Sequence, residues 1–420
     1  MVESNVQGIV AAVWRMESSK IIAKLARMVR DVALAEELAQ DALVTALEQW
    51  PKSGVPGKPG AWLMATAKNR ALDQLRRMKL LQRKHQIIAT ESDLSSETSV
   101  PDEADEDVGD DLLRLIFIAC HPVLSTEARV ALTLRLLGGL TTAEIARAFL
   151  LPEPTIAQRI VRAKRTLTEA HAPFELPRTE ELAARLASVL EVIYLIFNEG
   201  YAATAGAEWM RPELCEEALR LGRILAELAP KEPEVHGLIA LMEIQASRAA
   251  ARVGPAGEPI RLLEQDRARW DQLLIRRGLA ALERAEALSD ALGPYTLQAA
   301  VAACHARART AGETDWARIV ALYDALAQLA PSPVVDLNRA VAVSMAFGPS
   351  EALEIVDVLC QDARLRSYHL LPSVRGDLLE KLGRYEEART EFTRAAALAQ
   401  NARERTLLLG RASACGTHLS

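Results

Sequence analysis

Thr155, Gln158, Arg162 and Arg165 are spaced to share one face of a helix, and their side chains can reach base edges and phosphates in a DNA major groove. Arg159 and Lys164 flank them. Ile156, Ile160, Ala163 and Leu167 recur at intervals of 4, 3 and 4, an apolar stripe that buries the opposite face. Just upstream, Leu140 to Phe149 reads as a shorter helix, opened by Thr141 and Glu144 at capping-box spacing and closed by a turn over Leu150 to Glu153. Pro154 stands at the first position of the second helix, where its missing N–H costs nothing. The pair reads as a helix-turn-helix. The bland alternative is a helical hairpin with a solvated basic face.

A second chemical set lies earlier. Between Ala61 and Lys84 there are seven bases and one acid, Asp73, with Trp62 at the start and Asn69 among Lys68, Arg70, Arg76 and Arg77. Such a helix suits a polyanion, and an aromatic ring with an amide can hold an unstacked base. Before it, the helix around Ala35 to Leu43 buries Leu38, Ala42 and Leu43 and puts Glu37, Gln40, Asp41 and Glu48 together outside. That acidic stripe is either a protein-docking face or simply solvated. Catalytic chemistry is poorly represented: there is no Gly-rich phosphate loop, no Ser/His/Asp signature and no His-Glu-x-x-His. Cys120-His121-Pro122 cannot complete a metal site alone and reads as a buried helix end. His236, His305 and His369 read as packing or surface residues. Five scattered cysteines with no Cys-x-x-Cys pair exclude a disulfide framework and point to a reducing cytoplasm. Neither a metal nor a cofactor is expected.

The elements that must position these residues are all helical. Apolar residues recur at i, i+3, i+4 and i+7 along nearly the whole chain, and no stretch alternates with period two. At 420 residues the chain exceeds one hydrophobic core. Charge divides it: Met1–Thr90 carries +6, Glu91–Asp111 carries -10, Leu112–Ala170 carries +4 and the remainder -6. We therefore expect a basic helical module over 1–89, broken by a loop over Pro51–Gly60; a flexible acidic linker over 90–110; and the helix-turn-helix module over 111–170. A divergent helical domain over 178–300 and tetratricopeptide-like repeats over 301–420 follow. The repeat reading rests on Leu228-Ala229-Pro230, Leu329-Ala330-Pro331 and Leu398-Ala399-Gln400, spaced near multiples of 34 residues, and on Leu382 to Ala388. A generic α-domain is the alternative. Asn198-Glu199-Gly200-Tyr201 reads as a helix C-cap or as part of a binding groove. No apolar stretch reaches the ~20 residues of a membrane helix, and the polar start is no secretory signal.

Taken in order, AEELAQDALVTALEQW, GAWLMATAKNRALDQLRR, the acidic linker and LTTAEIARAFLLPEPTIAQRIVRAKRTL resemble bacterial RNA polymerase sigma factors of the extracytoplasmic-function (ECF) type. Tyr194 to Tyr201, Glu264 to Arg267, Thr314 to Trp316 and Leu337 to Ala340 resemble the subgroup with a tetratricopeptide-like C-terminal extension. The resemblance implies a non-enzymatic subunit that gives core RNA polymerase its promoter specificity. It implies that Glu37, Gln40, Asp41 and Glu48 dock on the β′ clamp helices, with the β flap as a further contact. It also implies that Trp62, Lys68, Asn69, Arg70, Asp73, Arg76 and Arg77 serve the -10 element, Asn69 beside the pocket for a flipped base. Thr155, Gln158, Arg159, Arg162, Lys164 and Arg165 would serve the -35 element. The Pro/Gly-rich loop and Ala157, at a site basic in some members, depart from the pattern. The C-terminal half is expected to regulate in cis, with a regulatory protein or ligand as its partner. The rival is a stand-alone helix-turn-helix regulator with a repeat sensor.

Overall fold

The structure is a computed structural model describing residues 2–89, 108–255 and 257–417; most of the acidic linker, 90–107, lies outside them. Among the described residues there are eighteen α-helices and no β-strand, the all-α architecture expected. They form two compact units, Met1–Ile193 and Tyr194–Ser420.

In the first unit, α1 (Val2–Val29), α2 (Val32–Ser53) and α3 (Pro59–Ala89) pack together. Asp31 caps α2, its carboxylate accepting from Leu34 N–H at 2.9 Å. Ile21, Ile22, Leu25, Trp50 and Leu63 fill the core with small Ala26, Ala39, Ala42 and Ala67 between them, all buried. Each large side chain removed from water contributes about 1.5–3 kcal/mol. The expected break at Pro51 is narrower than the sequence indicates. Pro51 sits inside the last turn of α2, which runs to Ser53 and stops at Gly54, φ 84°. Only Gly54–Lys58 remain as loop. Pro51 comes so late that a single intrahelical bond is forfeited, too little to end the helix.

Four helices follow: α4 (Val108–Ala119), α5 (Thr126–Leu136), α6 (Thr142–Phe149) and α7 (Glu153–Glu169). Residues 108–110 of the expected linker thus belong to α4. The unit continues beyond 170 with α8 (Thr179–Tyr201). Arg185 donates to Phe117 O at 2.9 Å, Ser188 to Cys120 O at 2.7 Å, and Arg129 pairs with Glu191 at 3.1 Å. Cys120 is buried at the end of α4, its thiol pushed up to about 11 by burial.

The second unit comprises the end of α8, α9 (Pro212–Leu228), α10 (Pro233–Ala246), α11 (Gln272–Leu288), α12 (Pro294–Arg307), α13 (Trp316–Leu329), α14 (Pro333–Ala346), α15 (Pro349–Leu359), α16 (Leu370–Lys381), α17 (Tyr385–Leu398) and α18 (Ala402–Thr417). Five of these helices open on proline, whose fixed φ suits the first turn. The three Leu-Ala signals mark the ends of α9, α13 and α17. Helices α13, α15 and α17 begin at Trp316, Pro349 and Tyr385, 33 and 36 residues apart. Residues 194–420 nevertheless form one unit with no division near 300. Fully buried Asn401 donates to Ala203 O at 3.2 Å and Glu208 O at 2.8 Å, joining the first loop of the unit to its last helix. Gly200 lies inside α8 rather than capping it. A Cβ there would stand 2.6 Å from Cys215 N, so the glycine lets α9 approach closely.

Candidate nucleic-acid interface

Helix α6 opens with the capping box: Thr141 N–H donates to Glu144 Oε2 at 2.8 Å, and Glu144 N–H to Thr141 Oγ1 at 3.1 Å. It ends at Leu150 in the left-handed region, φ 51°. The chain turns through Leu151 and Pro152 into α7, with Pro154 in its first turn. Ile156, Ile160, Ala163 and Leu167 are buried against α5 and α6. Thr155, Gln158, Arg162 and Arg165 are exposed on the other side, and Arg159 is half-buried near Glu127. Arg165 reaches Glu169 at 3.3 Å, both ends in water, a pair of little energetic weight.

Lys164 is the exception on this helix. Its ammonium pairs with Glu36 of α2, a carboxylate 3 % exposed that also accepts from Arg135 Nε at 2.6 Å and from Gln40 at 2.5 Å. A second buried carboxylate, Asp111 of α4, takes Arg114 at 2.8 Å, Arg27 at 3.6 Å and Lys24 at 3.9 Å. Burial raises the Asp111 carboxyl, and the three cations oppose that shift. Arg15 adds an outer pair with Glu144 at 2.7 Å. The α1–α3 bundle and the helix-turn-helix are therefore clasped by ion pairs. A cavity of about 730 Å³ lies between them, edged by Arg27, Arg30, Arg114 and Lys164. Sequence reasoning missed both carboxylates as organising centres. Their partners at Arg135 and Lys164 lie 99 and 128 residues from Glu36, beyond any local period.

On α2, Glu37, Asp41 and Glu48 are exposed with Gln40 half-buried, and Val44 and Leu47 are exposed among them. Leu43, expected inside, is only half-buried. On α3, Asn69, Asp73, Arg76 and Arg77 are exposed, while Trp62 and Lys68 are half-buried. Trp62 packs edge-on to buried Trp50, ring centres 5.5 Å apart. Arg70 turns back, donating to Asp41 at 2.9 Å and Thr45 at 2.7 Å. The acidic stripe and the basic helix thus share an ion pair across their edge. Among the described residues no group of three His, Cys, Asp or Glu side chains could hold a metal, and no helix is long and apolar enough to cross a membrane.

Comparison with known proteins matches three stretches of the chain. The family profile for Sigma-70 region 2 matches residues 13–80, that for Sigma-70, region 4 matches 114–167, and a family of unknown function (DUF6596) matches 185–286. An uncharacterized protein of Rhizobium meliloti (strain 1021) is 45 % identical over 90 % of this chain and 89 % of its own. The ECF RNA polymerase sigma factor SigL of Mycobacterium tuberculosis is 30 % identical over 34 % of this chain and 76 % of its own. SigK of Mycobacterium ulcerans, also an ECF RNA polymerase sigma factor, is 31 % identical over 36 % and 78 %. Within the C-terminal extension the match to DUF6596 covers residues 185–286, and a tetratricopeptide-like character is not shown. With both sigma regions in order on the clasped helices of the first unit, the chain belongs to the ECF sigma factors of RNA polymerase.

Proposed function

We propose that this sigma factor docks on the β′ clamp helices through Glu37, Gln40, Asp41 and Glu48 of α2. Region 4 adds the β flap contact. The apolar Val44 and Leu47 exposed within the stripe support docking over a merely solvated face. Helix α3 serves the -10 element: Asn69 and half-buried Trp62 stand beside a flipped base, and Lys68, Asp73, Arg76 and Arg77 line the strand path. Arg70 acts mainly as a brace between α2 and α3. Helix α7 reads the -35 element with Thr155, Gln158, Arg162 and Arg165, supported by Arg159, and Lys164 joins once released from Glu36. The observation that carries this reading is the exposed polar edge of α7 on a fully buried stripe, preceded by a capped helix. The C-terminal unit regulates in cis, its net negative charge competing for the basic faces at short range.

The test is core-dependent run-off transcription from the gene's own upstream region. Gln40→Ala with Asp41→Arg reverses charge on the stripe and should abolish both run-off and co-purification with core polymerase, with helical content unchanged. Undiminished co-purification overturns the docking assignment.

A further inference from the structure

Three of the four segments that resemble the C-terminal-extension subgroup converge on one cluster in the second unit. Tyr201 comes from the first, Arg267 from the second, and Thr314 and Trp316 from the third. Around them gather Arg248, Arg252, Trp209, Trp270 and His305. Guanidinium and ring alternate. Arg252 Cζ stands 3.5 Å from the Tyr201 ring centre and 5.5 Å from that of Trp209. Arg248 Cζ stands 5.7 Å from Tyr201 and 5.8 Å from Trp270, and Arg267 Cζ 5.1 Å from Trp270.

The cluster is unbalanced in charge. Arg252 is 7 % exposed, and Arg248 and Arg267 are half-buried. Among the described residues no carboxylate lies within 4.0 Å of any of the three. Elsewhere in the unit, arginines at similar burial do carry acids: Arg211 pairs with Glu199, Arg375 with Asp357 at 2.8 Å and Glu391 at 2.9 Å, and Arg411 with Asp377 at 2.7 Å. A cation removed from water without a counter-charge is costly, and ring faces and carbonyls repay only part of it. The acceptors are all neutral: Arg252 Nη1 donates to Tyr201 O, Arg248 Nε to Tyr201 Oη at 3.1 Å and its Nη2 to Tyr201 Oη and Gln245 Oε1, and Arg267 to His305 O and Ala308 O at 2.7 Å and to Thr314 Oγ1 at 3.0 Å. These bonds leave Arg248 Nη1 and the Nε and Nη2 of Arg252 without protein acceptors. Two buried polar atoms beside them also lack partners, Trp270 Nε1 and His305 Nδ1.

We propose that the Arg248–Arg252–Arg267 cluster binds a small oxyanion, the phosphoryl or carboxylate group of a low-molecular-weight ligand, whose charge completes the cluster. The open Nε/Nη2 edge of Arg252 holds it as a guanidinium holds a planar oxyanion, two N–H groups to two oxygens, and the free Nη1 of Arg248 adds a further donor. Arg267, fixed by three acceptors, adds charge beside Trp270. The surrounding field is consistent: burial first, then the Arg248 and Arg267 charges, hold the His305 ring down to about 4. The site makes the C-terminal unit a ligand sensor irrespective of how the sigma regions engage polymerase.

The experiment uses the full chain at constant ionic strength in chloride, titrated with inorganic phosphate, pyrophosphate or citrate, followed by calorimetry and thermal unfolding. Saturable binding with a rise in Tm is expected for at least one probe. Arg248→Gln should weaken it tenfold or more, whereas the exposed Arg276→Gln leaves it unchanged. A response to phosphate or pyrophosphate but not citrate assigns a phosphoryl group, and the reverse a carboxylate. Arg252→Gln should abolish binding; if that buried variant fails to fold, half-buried Arg248→Gln decides alone, with circular dichroism confirming its helices. No saturable response to any of the three probes, or one undiminished in Arg248→Gln, overturns the proposal and leaves the stack a purely structural device.

Discussion

Arg162 stands in water on the outer edge of α7, with Ile160 and Ala163 buried beside it, so its truncation removes a contact and leaves the helix intact. Arg162→Ala should cost about 1–3 kcal/mol of promoter binding and relax preference at the -35 element, because a guanidinium fork reads a base edge. Binding to cognate and scrambled -35 duplexes measures it; unchanged discrimination between them removes Arg162 from base reading. His305 belongs to a different balance. Its folded value of about 4 lies below the ordinary 6.5, so the unfolded chain takes the proton more readily. The stability this neutral ring contributes is present above about 6.5 and is lost as pH falls toward 4, roughly 3 kcal/mol in all. Thermal melts between pH 7 and 4 should show that slope in the native chain and a flatter one in His305→Gln. Equal slopes would mean the ring titrates normally.

Helix α8 decides where the chain can be cut. Read by charge and proline signals, the second module closes at Ala170, yet Arg185, Ser188 and Glu191 of α8 bond to Phe117, Cys120 and Arg129 of that module. A fragment ending at Ile193 keeps those bonds, and one ending at Ala170 exposes the groups they satisfy. The longer fragment should give more run-off transcription than the full chain if the C-terminal unit restrains the sigma regions. A loss reads as activation by that unit, and equal activity of the folded fragment ends the case for control in cis. The same helix shows what the sequence makes legible. Capping, turn length and the 4-3-4 stripe of α7 are local signals, and they locate the helix-turn-helix to within two residues. Gly200 carries two compatible local readings, and only the approach of Cys215 selects close packing. The buried pairing of Glu36 with Arg135 and Lys164 has no local trace, since all three look like ordinary exposed charges in their own helices.

At the scale of the whole molecule, the clasp between the two sigma regions sets a condition on promoter binding. Promoter elements named -10 and -35 lie about 25 base pairs apart, roughly 85 Å at 3.4 Å per pair. Regions held together through Glu36 and Asp111 cannot occupy both, so productive binding separates them. Glu36 also pairs with Lys164, a residue proposed above for DNA, and on that proposal the withheld charge can be counted in released counterions. Each phosphate neutralised steepens the dependence of log K on log salt by about 0.9. Non-specific duplex binding by the native chain should show a slope shallower by about one ion than that of Glu36→Gln, in which Lys164 is freed; identical slopes would mean the clasp does not hold in solution. A difference of that size would mean that the closed form lowers the chain's affinity for the bulk of chromosomal DNA, the Lys164 ammonium becoming available only once the two regions part.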